Sequence, residues 1–426
     1  MLKVRLGWSG LAPEAHRPSP DELQLLPAAI FRIQDTYAIS AGELGQPLTA
    51  EEAFHLAGAA QETGLNHLAL DWLLLAERLR DGGGADEVPP APLYDALALA
   101  AYRQGNTHWG VYYARWVRDA GWQGKSRLQL ANWEAGLNVD GWDGRRQSLP
   151  PLSNPRNTSG AFLDYEKLCR NEGLKNPALY CFLQRNSAFL FLAPFKAELL
   201  HIDPPVLLLH QLISTSEARH LLQLAEPKLR RAKIGTAAKG TQEYLKFQQK
   251  LDNARTSKSM WAKDAEDAVV AGLSRRVQAF TGISIASAEQ LQMARYTKGG
   301  HYRPHFDMGR IDSKTGEFLA SPARFNRRIA TVLFYLNQPG AGGGTVFDLL
   351  GLAVRPVARS ALFWWNVDGR GAEDLRTRHA ACPVAVGLKW AANKWLREEG
   401  QRIHCAQHPS QRARPLPISR WPLGAL

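Results

Sequence analysis

Residues 299–309 read GGHYRPHFDMG, and within them His305 and Asp307 stand two positions apart. That is the interval at which side chains of a β-strand share a face, so an imidazole and a carboxylate converge there while Phe306 points away. Two histidines and one carboxylate on one side of an ion leave three positions open, the donor set of non-haem Fe(II) oxygenases. Zinc more often takes a closed tetrahedral set. A second histidine is then required. His379, in TRHAACPV among small and apolar residues, meets the need, and His301 competes but falls on the glycine turn. An H-x-D triplet alone also arises by chance or as a satisfied structural pair.

Lys389 follows ten positions after His379 (389 − 379 = 10), inside the apolar stretch AVGLKWAANKWL. A buried ammonium needs an anionic partner, because leaving it unpaired costs several kcal/mol. A 2-oxo acid would supply one: its two chelating oxygens would fill two open metal positions and leave the last for dioxygen, while Lys389 would hold the far carboxylate. Otherwise Lys389 snorkels to solvent at a strand end.

The elements that must carry these residues are short. EQLQMARY, RRIATVLFYL, GTVFDLL, ARSALFWWNV, TRHAACPV and AVGLKWAANKWL read as strands between Gly, Pro and Asn turns, which predicts a β-sandwich or barrel. GAGGGTVF lacks the Lys-Ser/Thr of a phosphate loop and reads as a turn. Two helices precede the strands, at STSEARHLLQLAEPKL and AKDAEDAVVAGLSRRVQAFTG. Upstream, residues 47–140 have helical periodicity throughout, opening with Thr49 and Glu52 in a capping-box arrangement. The pairing of APLYDALALAAYRQGN with THWGVYYARWVRDAGW suggests tetratricopeptide-like units, which stack into a peptide groove, or else a plain helical bundle. Residues 141–160, rich in Pro, Gly, Asn and Ser, read as a linker and contain the sequon Asn157-Thr158-Ser159.

With 426 residues the chain accommodates two or three domains, and 45% hydrophobic content with 22% charged residues places it among globular proteins. The net charge of +12 gathers in KLRRAK, RFNRR and the tail QRARPLPISRWP, where a solvated basic face explains it better than nucleic-acid binding. No apolar run approaches the roughly 20 residues of a membrane span, and the first 20 residues show no signal-peptide core. The four cysteines, Cys169, Cys181, Cys382 and Cys405, allow three pairings or four free thiols.

The segments RTSKSMW, EQLQMARYTKGGHYRPHFD, NRRIATVLFYLNQPGAGGGTVF, ALFWWN, TRHAACPVAVGLKWAANKWL, YEKLCRNEG and LAPFK together resemble the catalytic α subunit of collagen prolyl 4-hydroxylases, over nearly all of residues 161–405. LTAEEAFHLAG and LALAAYRQGN resemble the same family's peptide-substrate-binding domain, and residues 27–38 the end of its dimerisation region. The implied organisation is a multidomain α+β chain. Residues 1–46 are a remnant of the dimerisation region, 47–140 a tetratricopeptide-like peptide-binding domain, 141–160 a linker, 161–405 a double-stranded β-helix (jelly-roll) catalytic domain, and 406–426 a basic tail.

The resemblance implies that His305, Asp307 and His379 bind Fe(II), that Lys389 binds 2-oxoglutarate, and that Tyr296 and Thr331 line that pocket. The implied reaction splits 2-oxoglutarate to succinate and carbon dioxide and hydroxylates C4 of peptidyl proline in X-Pro-Gly sequences, with ascorbate keeping the iron reduced. It further implies the disulfides Cys169–Cys181 and Cys382–Cys405, a protein disulfide isomerase partner in a hetero-oligomer, and residence in the endoplasmic reticulum lumen. The chain departs from the family pattern at Arg397, where a histidine is expected, and at Ala96 and Leu99, where groove tyrosines are expected and Tyr102 remains. Those departures raise two other readings: hydroxylation of proline in other secreted proteins, or a peptide-binding scaffold with weak activity.

Overall fold

A computed structural model describes residues 25–44, 48–82, 88–137, 160–170, 180–185, 188–232, 255–311, 318–320 and 326–401. The sequon, most of the linker, Cys405 and the basic tail lie outside the described residues. The chain divides into two compact units, Met1–Phe162 and Leu163–Leu426.

The first unit is helical, with helices Leu26–Tyr37, Ala50–Glu62, Asn66–Asp81, Pro90–Arg103, Thr107–Asp119 and Lys125–Ala135. Thr49 caps the second as expected: its hydroxyl accepts from Glu52 N at 3.1 Å, and Glu52 Oε2 accepts from Thr49 N at 2.9 Å. Gly64 and Gly105, at φ 75° and 78°, reverse the chain between paired helices, a left-handed conformation that any Cβ strains. Small residues let the pairs close up. Ala53, Ala57, Ala60, Ala98 and Ala114 are fully buried beside Trp72, Leu97, Val111 and Val117.

The second unit is dominated by strands: Cys181–Gln184 (β1), Phe195–His201 (β2), Val206–His210 (β3), Arg230–Arg231 (β4), Lys258–Ala262 (β5), Leu291–Tyr296 (β6), Tyr302–His305 (β7), Gly309–Ile311 (β8) and Phe318–Ala320 (β9). After them come Arg328–Tyr335 (β10), Ala341–Gly342 (β11), Thr345–Phe347 (β12), Leu352–Val354 (β13), Ala361–Trp365 (β14), His379–Ala381 (β15), Val384–Val386 (β16) and Lys389–Arg397 (β17). Nine form one antiparallel sheet in the order β1-β2-β3-β14-β10-β17-β6-β5-β4, and four form a smaller sheet, β13-β12-β15-β7. Five strands precede EQLQMARY where the sequence reading has none. One of them, β3 (VLLLH), is buried almost throughout and so carries no alternation by which periodicity could find it.

The large sheet has two apolar faces. Val332, Phe334, Ala361 and Phe363 pack with Val270, Leu273, Val277 and Phe280 of the helix Ala268–Thr281, which Asp267 caps through Val269 N and Val270 N. Leu333, Tyr335, Leu362 and Trp364 face the other way and pack with Phe347 of β12 and Val354 of β13. Burying each such side chain stabilises by about 1.5–3 kcal/mol.

Candidate metal centre and co-substrate pocket

Strand β7 pairs with β15 in a register that sets His305 directly opposite His379, so residues far apart in sequence become cross-strand neighbours with ring centroids 4.3 Å apart. β7 ends at His305. Asp307 therefore lies just beyond the strand rather than continuing it, a correction to the strand spacing first read there. Its carboxylate still closes the set: Oδ1 is 3.9 Å from His305 Nε2 and Oδ2 is 3.7 Å from His379 Nε2. The three donor atoms lie within 4.8 Å of one another, and no other such group of three occurs among the described residues. His301 is buried but outside the group.

Hydrogen bonds orient each imidazole. His305 Nδ1 is 2.8 Å from the Arg303 carbonyl oxygen, and His379 Nδ1 is 3.0 Å from that of Thr377. A carbonyl only accepts, so each Nδ1 carries a hydrogen and each ring turns its Nε2 toward the Asp307 carboxylate. Burial, with His379 adjacent, pushes His305 down to about 3. Burial alone would raise the Asp307 carboxyl, but His379, His305, Arg328 and the Thr331 hydroxyl outweigh it and hold the group below its ordinary range. With both Nε2 atoms unprotonated, two lone pairs and a carboxylate facing one point repel unless a cation sits among them. The donor set thus fits a divalent ion with open positions.

Behind Asp307 runs a chain of donors. Thr331 Oγ1 donates to Asp307 Oδ2 at 2.6 Å, Asn366 Nδ2 to Thr331 Oγ1 at 2.9 Å, and Trp364 Nε1 to Asn366 Oδ1 at 3.0 Å. Thr331 and Asn366 are fully buried. The Thr331 hydroxyl, expected to line the co-substrate pocket, also orients the Asp307 carboxylate. Tyr302 stacks on His305 at 3.6 Å between ring centroids, and Trp364 meets His379 edge-on at 4.7 Å.

Lys389, the first residue of β17, pairs with Tyr296 on β6 and is only 1% exposed. Its Nζ lies 5.6 Å from the ring centres of both Tyr296 and Tyr335, and among the described residues no carboxylate reaches it. Burial pushes the ammonium down to about 7. Tyr335 donates its hydroxyl hydrogen to Thr345 Oγ1 at 2.8 Å, and burial raises the phenol. Gly343 faces the same lysine: a Cβ there would stand 3.3 Å from Lys389 Cδ and 3.2 Å from Pro339 Cγ. Sequence reasoning missed Tyr335 and Thr345, though Tyr335, four residues after Thr331 on one strand, shares its face.

Other expected residues fall elsewhere. Tyr102, in the helical unit, is 41% exposed and stacks on Trp133 at 4.3 Å. Ala96, on the same helix, lines a cavity of about 280 Å³ with Phe54, His55, Gly58 and Leu73. Arg397 is bound to Glu289 and to the Asn326 carbonyl. The expected disulfides are overturned: Cys169 bonds Cys382, and Cys181 is a free, exposed thiol on edge strand β1. Cys382 is buried just past the end of β15, where the helix Gly160–Cys169 reaches it, whereas Cys181 lies on the edge of the larger sheet.

Residues 291–397 match the 2OG-Fe(II) oxygenase superfamily. The chain is 35% identical over 415 residues to prolyl 4-hydroxylase subunit alpha-2 of Caenorhabditis elegans, covering 92% of this chain and 74% of that one. To subunit alpha-1 of Homo sapiens it is 34% identical over 404 residues, covering 88% and 73%. A solved viral collagen prolyl hydroxylase from Paramecium bursaria Chlorella virus-1, in complex with 2OG, overlaps 45% of this chain and 95% of its own at 24% identity, with a TM-score of 0.34. Such identity over most of both sequences settles the kinship: the chain belongs to the prolyl 4-hydroxylase alpha-subunit family.

Proposed function

We propose that this chain hydroxylates C4 of peptidyl proline in collagen-like X-Pro-Gly sequences. The observation that carries the reading is the pairing of an inward-facing His305/Asp307/His379 set with a buried ammonium, Lys389, that has no anion of its own. When bound, Fe(II) and 2-oxoglutarate supply the dioxygen chemistry that yields succinate, carbon dioxide and hydroxyproline. His305, Asp307 and His379 would hold the metal, and Thr331, Asn366 and Trp364 keep the Asp307 carboxylate turned toward it. Lys389 takes the distal carboxylate of 2-oxoglutarate, with Tyr296, Tyr335 and Thr345 walling the pocket against water.

The sheet order supports a double-stranded β-helix spanning 161–405, and the helical pairs support a tetratricopeptide-like peptide-binding domain over 47–140 that uses Tyr102. The Cys169–Cys382 bond supports an oxidising compartment, the endoplasmic reticulum lumen, where ascorbate and a protein disulfide isomerase partner belong to the same reading. The test is release of succinate on adding a (Pro-Pro-Gly)-type peptide with Fe(II) and 2-oxoglutarate to the full chain. Peptide-dependent release no greater than that of His305→Ala refutes the reading and favours a scaffold. The open space beside Ala96 favours a second substrate class, proline in non-repeat secreted peptides, which the same assay separates by comparing peptides.

A further inference from the structure

Arg397 closes β17 at the end opposite Lys389. Between Arg328 and Ala330, β10 slips its register against β17, and Arg328 ends opposite Arg397. The bulge has a visible effect: the adjacent Ile329 and Ala330 both enter the helix-covered core, where regular alternation would separate them. Arg328 is thereby turned to the face that carries Thr331. From there its NH1 donates to the Asp307 main-chain oxygen at 3.3 Å.

The rest of that guanidinium is clamped. Nε and NH2 fork the Glu289 carboxylate at 2.5 and 2.9 Å, and its carbon lies 3.9 Å over the Trp395 ring. Glu289 Oε1 also accepts from Arg397 NH2 at 2.8 Å, while Arg397 NH1 donates to the Asn326 carbonyl at 2.6 Å. Arg397 has no direct bond to the ligand set or to Lys389. It reaches Asp307 only through Glu289 and Arg328. Asp307, lying past the end of β7, needs such a hold on its main chain, because the strand ladder stops one turn of pleat earlier.

We propose that Arg397 is a positioning residue for the metal centre: by completing an Arg397–Glu289–Arg328 brace it fixes the main chain of Asp307 and hence the angle at which the carboxylate meets the ion. The inference rests on the metal-binding reading above. It assigns Arg397 no contact with the co-substrate, although it stands where the family resemblance places a histidine. A neutral imidazole has one N–H and cannot serve Glu289 and the Asn326 carbonyl together.

The test is an anaerobic Mn(II) titration of the metal-free full chain, followed by electron paramagnetic resonance and paired with calorimetric 2-oxoglutarate binding and a thermal melt. Arg397→Ala is expected to weaken Mn(II) binding about tenfold or more, the usual effect of losing a group behind a ligand. Arg397→Lys restores most of that loss, and Glu289→Gln weakens binding in the same direction. Arg397→Ala adds little on the Glu289→Gln background, because both act through one brace. Unchanged Mn(II) affinity in Arg397→Ala overturns the inference, as does full additivity with Glu289→Gln. Loss of 2-oxoglutarate affinity with Mn(II) affinity intact also overturns it, by making Arg397 a co-substrate contact. Equal Mn(II) binding by the wild-type chain and His305→Ala refutes the metal reading itself and this inference with it.

Discussion

Lys389 offers a test with a worked magnitude. Its ammonium, ordinarily near 10.5, is pushed down to about 7 by burial, and it faces two aromatic rings and no carboxylate. A carboxylate seated beside it favours the charged form, so 2-oxoglutarate binding must draw a proton from solvent. At pH 8 the free lysine is about one-tenth protonated, and binding takes up about 0.9 proton; at pH 6 it takes up about 0.1. Calorimetric titration of 2-oxoglutarate into the Mn(II)-loaded chain, in buffers of unlike ionisation enthalpy, reads this number as a slope. Lys389→Met should bind about 10–150-fold more weakly, from loss of a charge-assisted bond of about 1.5–3 kcal/mol, and should show no slope. The same group sets a stability trend in the ligand-free chain. Its folded value lies below its unfolded one, so the unfolded chain holds more protons between about pH 7 and 10.5. Stability from this group therefore rises across that window, by at most about 5 kcal/mol, and Lys389→Met abolishes the rise. A wild-type slope near zero at pH 8, or a slope that survives in the methionine variant, refutes the account of a buried, anionless ammonium.

Thr331→Val removes the donor to Asp307 and strands the Asn366 amide, which lowers stability by about 1–3 kcal/mol in a denaturant titration and Mn(II) affinity about 10–100-fold; Thr331→Ser should recover both. Gly343→Ala forces a Cβ against Lys389 at φ 69°. It should cost about 1 kcal/mol of stability and raise the KM for 2-oxoglutarate while leaving Mn(II) affinity unchanged. Non-reducing peptide mapping should recover Cys169 joined to Cys382, and Cys169→Ser should lower stability by about 2–5 kcal/mol; a Cys169–Cys181 peptide would contradict the fold.

The candidate residues were legible because unusual features coincide: an imidazole and a carboxylate two apart, a histidine among small residues, and a lysine inside an apolar strand. What assembles them was not. The register that sets His305 against His379 is a property of two strands meeting, and neither segment encodes it alone. Thr331 was singled out without its bond to Asp307, since strand parity gives the face a side chain takes and says nothing of which polar atom it meets there. Arg328 shows the converse limit. Counting alternate residues from Thr331 sends it to the helix-covered layer, and one bulge reverses that. The cysteines could not be paired from the residues alone, and the pairing of 169 with 181 that the family resemblance implied gives way to a bond between Cys169 and Cys382.

The cross-strand histidine pair also bears on assembly. The two histidines sit 74 residues apart (379 − 305 = 74) on the smaller sheet, whereas the central strands β14, β10, β17 and β6 pair without either of them. Closing a loop of that span carries an entropic cost, which the strand pairing around the two imidazoles offsets. Chelation should then empty the centre without collapsing the sheet, and the chain can be loaded, stripped and reloaded as a folded body.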